Sequence, residues 1–131
     1  MRDFQKIVLV SFFAGCTILG FMVKLPRVFH HFDKELHAMF YFFATIFLTL
    51  IFPKRWLIAT IGLVLFGIVI EFAQEFSNKI SIRIIGKAIH GRFDIQDVKY
   101  NLIGVFLGLI VFHSYRLLIK SKSWIVIQIE Y

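Results

Sequence analysis

The residues of this chain equipped for chemistry are Asp33, His37, Glu71, Gln74, Asp94, Asp97 and Asn101, and each lies at an end of a long apolar stretch. Carboxylates and amides are costly at the edge of hydrocarbon, so a group of them at one depth is a candidate site. A histidine among carboxylates can exchange a proton near neutral pH. His37, Glu71 and Asp97 are therefore the candidate catalytic groups for general acid and base work. Lys34 and Arg92 are the cations suited to holding a phosphate, and together with Lys99 they stand close in sequence to Asp33, Asp94 and Asp97. Glu71, Glu75, Asp94 or Asp97 could equally hold a divalent ion, since hard oxygen ligands suit Mg or Ca. No two histidines have a metal-ligand spacing. The chain also lacks a nucleophile motif, a glycine-rich phosphate loop and a cysteine cluster. No cofactor or metal is assigned on this basis, and enzymatic activity would rest on the polar cluster alone.

Each of these residues also has a structural reading. Polar side chains inside membrane bundles commonly hydrogen-bond between helices, and ion pairs with amides would hold such a bundle together. Asp33 and Asp94 each precede a predicted helix, where an aspartate reads as a cap. His30 and His31 read as interfacial, and His90 and His113 suggest no role.

Spacing gathers the candidates onto helix faces. Asp33, His37 and Tyr41 are four apart and form one stripe, with Lys34 on an adjoining part of that face. Glu71, Gln74 and Glu75 repeat the arrangement later. Asp97, Asn101, Gly104 and Gly108 step by four, three and four, which puts polar groups at the membrane edge and small residues deeper in. Gly104 and Gly108 form a small-xxx-small pattern that lets another helix approach closely. That face is expected to point into a bundle, carrying Asp97 and Asn101 with it.

The elements that must position these residues are membrane helices. The chain of 131 residues is 59% hydrophobic and 18% charged, against about 45 to 50% and about 25% in soluble domains. Its apolar runs predict four transmembrane helices at about 6–23, 35–52, 55–76 and 97–118, each near the roughly 20 residues that a span requires. The fold class is therefore an all-α bundle forming one domain over 1–131, with a longer loop between the third and fourth helices. Pro53-Lys54-Arg55 makes the second and third helices antiparallel neighbours. With this threading all the polar candidates reach the same membrane face.

Arg2 and Lys6 before the first run, with Phe13-Ala14-Gly15-Cys16, also fit a cleaved lipoprotein signal. The chain stays apolar after Cys16, so the first helix is expected to be retained. Cys16 is the single cysteine, which excludes an internal disulfide. The net charge of +7 is split between both faces, which suits anionic lipid headgroups and excludes a nucleic-acid groove. Lys120, Lys122, Trp56 and Trp124 read as interfacial anchors. Basic residues divide almost evenly between the two faces. The loops on the N-terminal side carry little except basic residues, with Asp3 and Glu130 the acidic ones, which favours a cytoplasmic N-terminus.

Taken in order, Asp33-Lys34-Glu35-Leu36-His37 with Tyr41, then Glu71-Phe72-Ala73-Gln74, then Gly91-Arg92-Phe93-Asp94 with Asp97, Asn101, Gly104 and Gly108 resemble the VanZ-like family of small bacterial membrane proteins. The resemblance covers about residues 30–112, and its third block is the most specific. It implies a cell-envelope protein of the bacterial cytoplasmic membrane, linked through the family's namesake to teicoplanin susceptibility, without supplying a reaction. In the family the arginine follows the glutamine closely, whereas here Asn78 to His90 intervenes. The alternation of Ile80, Ser81, Ile82, Arg83 and Ile84 in that insertion suits a short hairpin or an interfacial segment.

Three functions remain open from the sequence. The expected one is binding of a lipid-linked or amphiphilic envelope molecule at a polar site near the outer face, with Asp33, Lys34, His37, Tyr41, Glu71, Gln74, Arg92, Asp94, Asp97 and Asn101 as ligand-binding candidates. The others are an enzyme acting on such a lipid and a structural or accessory subunit. Partners are thus the bilayer and an amphiphile; the oligomeric state is not legible.

Overall fold

The computed structural model describes the backbone of residues 3–22, 32–88 and 93–129, with side chains over 4–18, 32–88 and 93–120. Arg92, His30, His31 and His90 lie outside the described residues, as do the side chains of Lys122 and Trp124. Among the described residues the chain is helical and contains no strand: α1 is Asp3–Met22, α2 Asp33–Ile51, α3 Trp56–Ile85 and α4 Ile95–Ile129. In hydrocarbon every backbone N–H and C=O must be satisfied internally, which a helix achieves within one segment.

Three of these helices are long and apolar enough to cross a membrane: α2, α3, and α4 as far as Lys120. The apolar stretch described in α1, Phe4–Ile18, is shorter. Side-chain placement has the character of a membrane protein. Ile58, Val69, Phe106 and Leu117 are exposed, while the buried set includes Thr17, His37, Thr45, Thr49, Thr60, Glu71, Asn78, Ser81 and Asn101. In water this inside-out distribution would forfeit the hydrophobic driving force; in lipid it places apolar side chains against the tails and polar groups against one another.

The closest helix pair is α2 with α4. A Cβ at Gly104 would collide with the Ala38 carbonyl oxygen, and one at Gly108 would meet Thr45 Cβ at 2.7 Å. Both glycines therefore press α4 against the α2 backbone. Around this seam Tyr41, Ala44, Leu63 and Val105 form the core, with Phe13, Phe40, Leu48, Val64 and Leu109 packed against it. Phe13 of α1 joins through rings 5.6 Å from Phe40 and 5.0 Å from Phe47. Pro53 and Lys54 turn the chain after α2, and Arg55 N–H donates to the Phe52 carbonyl at 2.9 Å, so α2 and α3 run antiparallel. Phe93 stacks on Phe72 with centroids 5.0 Å apart, which ties the start of α4 to α3.

One expectation is corrected. The segment 78–85 is neither hairpin nor loop but the continuation of α3, which ends only at Gly86 with φ 71°. Gly86 supplies the left-handed conformation of a helix C-terminus, and Ser81 Oγ donates to the Lys87 carbonyl at 2.7 Å. The apparent two-residue alternation has a helical origin. Thr60, Leu63, Gly67, Ile70, Glu71, Asn78 and Ser81 are buried, a face that repeats every three or four residues. Isoleucines occupy the remaining sides, with Ile80, Ile82, Ile84 and Ile85 exposed. The loop between α3 and α4 is correspondingly shorter than expected. α4 likewise begins at Ile95 and runs to Ile129, beyond the expected 97–118.

Candidate functional site

The first turns of α2 and α4 and the middle of α3 meet at one end of the bundle, because α3 runs antiparallel to both. Glu71 is the sixteenth residue of α3, about 22 Å along its axis.

Glu71 is 1% exposed, and neither carboxylate oxygen has a hydrogen-bond partner among the described residues. The Asp94 backbone N–H faces it but falls short of hydrogen-bond geometry. Asp97, Asp94 and Asp33 are the charges in its electrostatic reach. Asp97 Oδ1 is also buried without a hydrogen-bond partner among the described residues, with His37, Asp94, Asp33 and Lys34 around it. Burying an unpartnered polar group costs about 1–3 kcal/mol, and more for a charge. Two such groups beside each other are therefore an unusual arrangement for a packing element.

His37 Nδ1–H donates to Asn101 Oδ1 at 3.0 Å, in a buried bond joining α2 to α4. Ligand atoms of Asp33, His37 and Asp97 lie within 4.8 Å of one another, so these three could hold a metal. Tyr41, one turn further into α2, is almost wholly buried and lies within electrostatic reach of Glu71. Its hydroxyl occupies the space that a Cβ on Gly67 would need, 2.5 Å away. The structure thus brings Asp33, Lys34, His37, Tyr41, Glu71, Asp94, Asp97 and Asn101 together.

Other candidates have different places. Asp94 is the residue before α4; its Oδ1 accepts the Gln96 N–H at 2.8 Å and its carbonyl the Asp97 N–H at 3.1 Å, so it caps the helix. Asp33 does not cap α2 as its position suggested: it is the first helical residue, and Phe32 at the cap makes no side-chain bond. There its carboxylate meets the positive end of the helix dipole instead. Glu75 pairs with Lys79 at 2.6 Å on the surface, which leaves Glu71 as the inward carboxylate of that pair. Gln74 is half-buried one turn beyond Glu71.

Sequence reasoning missed Gly67, Asn78 and Ser81 as part of the Glu71 face, although they continue it at steps of four, seven and three. A cavity of about 390 Å³ lies between α1, α2 and α3, lined by residues such as Phe13, Leu48, Phe52, Ile58, Gly62 and Phe66. It sits toward the α2–α3 turn, away from the carboxylates. At that same end Trp56 meets His113 edge to face at 4.7 Å, and Lys6 and Arg116 lie over the Phe52 and Phe112 rings. Comparison with family models, with curated proteins and with solved structures returned no match.

Proposed function

We propose that this chain is a small envelope protein of VanZ-like type, with four spans, in the bacterial cytoplasmic membrane, and that it receives the polar part of a lipid-linked or amphiphilic molecule at the Asp33, His37, Glu71 and Asp97 cluster. The observation that supports it is the buried Glu71 carboxylate and the buried Asp97 Oδ1, which have no hydrogen-bond partner among the described residues. Acceptors kept dry and unsatisfied inside a bundle cost stability, and that cost is justified where an incoming molecule supplies the donors. With Lys34 as the cation near Asp97, the cluster is rich in acceptors, so the headgroup it suits is an amine or a hydroxyl-bearing group. An N-terminus in the cytoplasm would open the cluster toward the outer face, where binding of an envelope amphiphile would alter exposure to glycopeptides such as teicoplanin.

A second reading is favoured by the His37–Asn101 bond, which joins two helices as an interhelical fastener would. On that reading the cluster is structural and the protein an accessory subunit. Native mass spectrometry of the detergent-purified protein beside Asp97→Ala separates the two. An amphiphile carried by wild type and absent from an equally stable variant supports the binding reading. Bare wild type with a variant that melts much earlier contradicts it.

A further inference from the structure

We infer that Asp33, His37 and Asp97, with Glu71 behind them, form a binding site for one divalent transition-metal ion of the zinc or manganese class. This goes beyond the amphiphile reading and does not depend on it. The three ligand atoms come from two helices and lie within 4.8 Å of one another. Bonds of about 2.0–2.2 Å place neighbouring ligands roughly 3.5 Å apart around a tetrahedral ion, so the side chains need close in by only about 1 Å. Carboxylates that repel one another in an empty site are drawn together in this way by a cation.

The second observation is Glu71. Its carboxylate is buried, lacks a hydrogen-bond partner among the described residues, and has Asp97, Asp94 and Asp33 in electrostatic reach. One more anion beside three other carboxylates is repelled unless a multivalent cation sits among them. Glu71 is thus a further ligand or the nearest counter-charge.

The donor set selects the ion. Oxygen ligands alone would suit Mg or Ca, whereas an imidazole nitrogen among carboxylates suits Zn, Mn or Fe(II). The Asn101 bond completes the pattern. Because His37 donates Nδ1–H to Asn101 Oδ1, the neutral ring carries its lone pair on Nε2, as metal-bound histidines do when their other nitrogen is held by an acceptor. Asn101 is then a positioning residue for His37. Its contribution differs from simple packing in that its loss weakens metal binding in a folded protein.

The test uses the full chain in detergent, stripped with a chelator, with no amphiphile added, so that its outcome is independent of the lipid experiment. Bound Zn2+ and Mn2+ are measured by plasma mass spectrometry and calorimetry. Wild type is expected to take up about one ion per chain. His37→Ala and Asp97→Asn should each weaken it at least tenfold, Asn101→Ala by about 10-fold or more, and His113→Ala not at all. Co2+ provides a readout that needs no variant. Visible bands of low-symmetry nitrogen and oxygen coordination are expected. An unchanged aqueous Co2+ spectrum, absence of Zn2+ and Mn2+ uptake, or equal uptake by wild type and folded His37→Ala would overturn the assignment.

Discussion

The middle of the α2–α4 seam and its end treat polar side chains in opposite ways. In the middle, Thr45 Oγ1 donates to the Tyr41 carbonyl and Thr49 Oγ1 to the Thr45 carbonyl, both at 2.7 Å. These hydroxyls are satisfied by their own helix, and Thr45 turns its methyl group to Gly108 of α4. At the end, Glu71 and Asp97 have buried oxygens with no hydrogen-bond partner among the described residues. The same bundle therefore contains one polar region whose hydroxyls are satisfied by their own helix and another with buried oxygens that lack a partner among the described residues.

The largest predicted effect falls on the complete region. Gly104→Val places atoms where the Ala38 carbonyl already sits, and overpacking of this kind is expected to cost about 3 kcal/mol or more. Loss of the monodisperse folded protein on size exclusion in detergent checks it; unchanged melting would mean that α2 and α4 are not in contact there. A smaller effect is expected from Asn101→Ala, which removes the acceptor of the buried His37 bond. The expected loss is about 1–2 kcal/mol, since bonds of this type inside membranes are worth roughly 0.6–1.7. Chemical denaturation in mixed micelles measures it, and a neutral result would detach the bond from the fold. The smallest effect belongs to Thr45→Val, which keeps the shape against Gly108 and loses a hydrogen bond within one helix. Less than about 1 kcal/mol is expected, and a larger loss would show that the seam's hydroxyls are not self-contained.

Much of the fold was legible because apolar runs of span length have few alternatives. Pro53 marked the end of α2, and Gly104 with Gly108 marked a close approach. The extension of α3 was less legible. Isoleucines on three sides of a helix produce local alternation that resembles a strand, and only the longer Glu71, Asn78, Ser81 register reveals the turn of 3.6 residues. For the site, spacing within one helix gathered His37 with Asp33 and Asn101 with Asp97. It carried no information about which stripe faces which. The His37–Asn101 bond spans 64 residues of sequence, and the convergence of Asp33, His37 and Asp97 requires the α2–α4 crossing. Gly67 was invisible for the same reason: the Tyr41 hydroxyl that it accommodates comes from the neighbouring helix.

The central claim is that the carboxylate end of the bundle exists to bind and not to hold the helices together. The most direct measurement is the thermal and denaturant stability of Glu71→Gln in detergent without added ligand, beside wild type. Glu71 is 1% exposed, has no hydrogen-bond partner among the described residues and has Asp97, Asp94 and Asp33 in electrostatic reach, so an amide of nearly the same volume, which offers donors to those carboxylates, should relieve a cost of about 1–3 kcal/mol. The variant is predicted to be at least as stable as wild type and to be stabilised less by any ligand. A variant that is clearly less stable would contradict the claim and make Glu71 a structural residue.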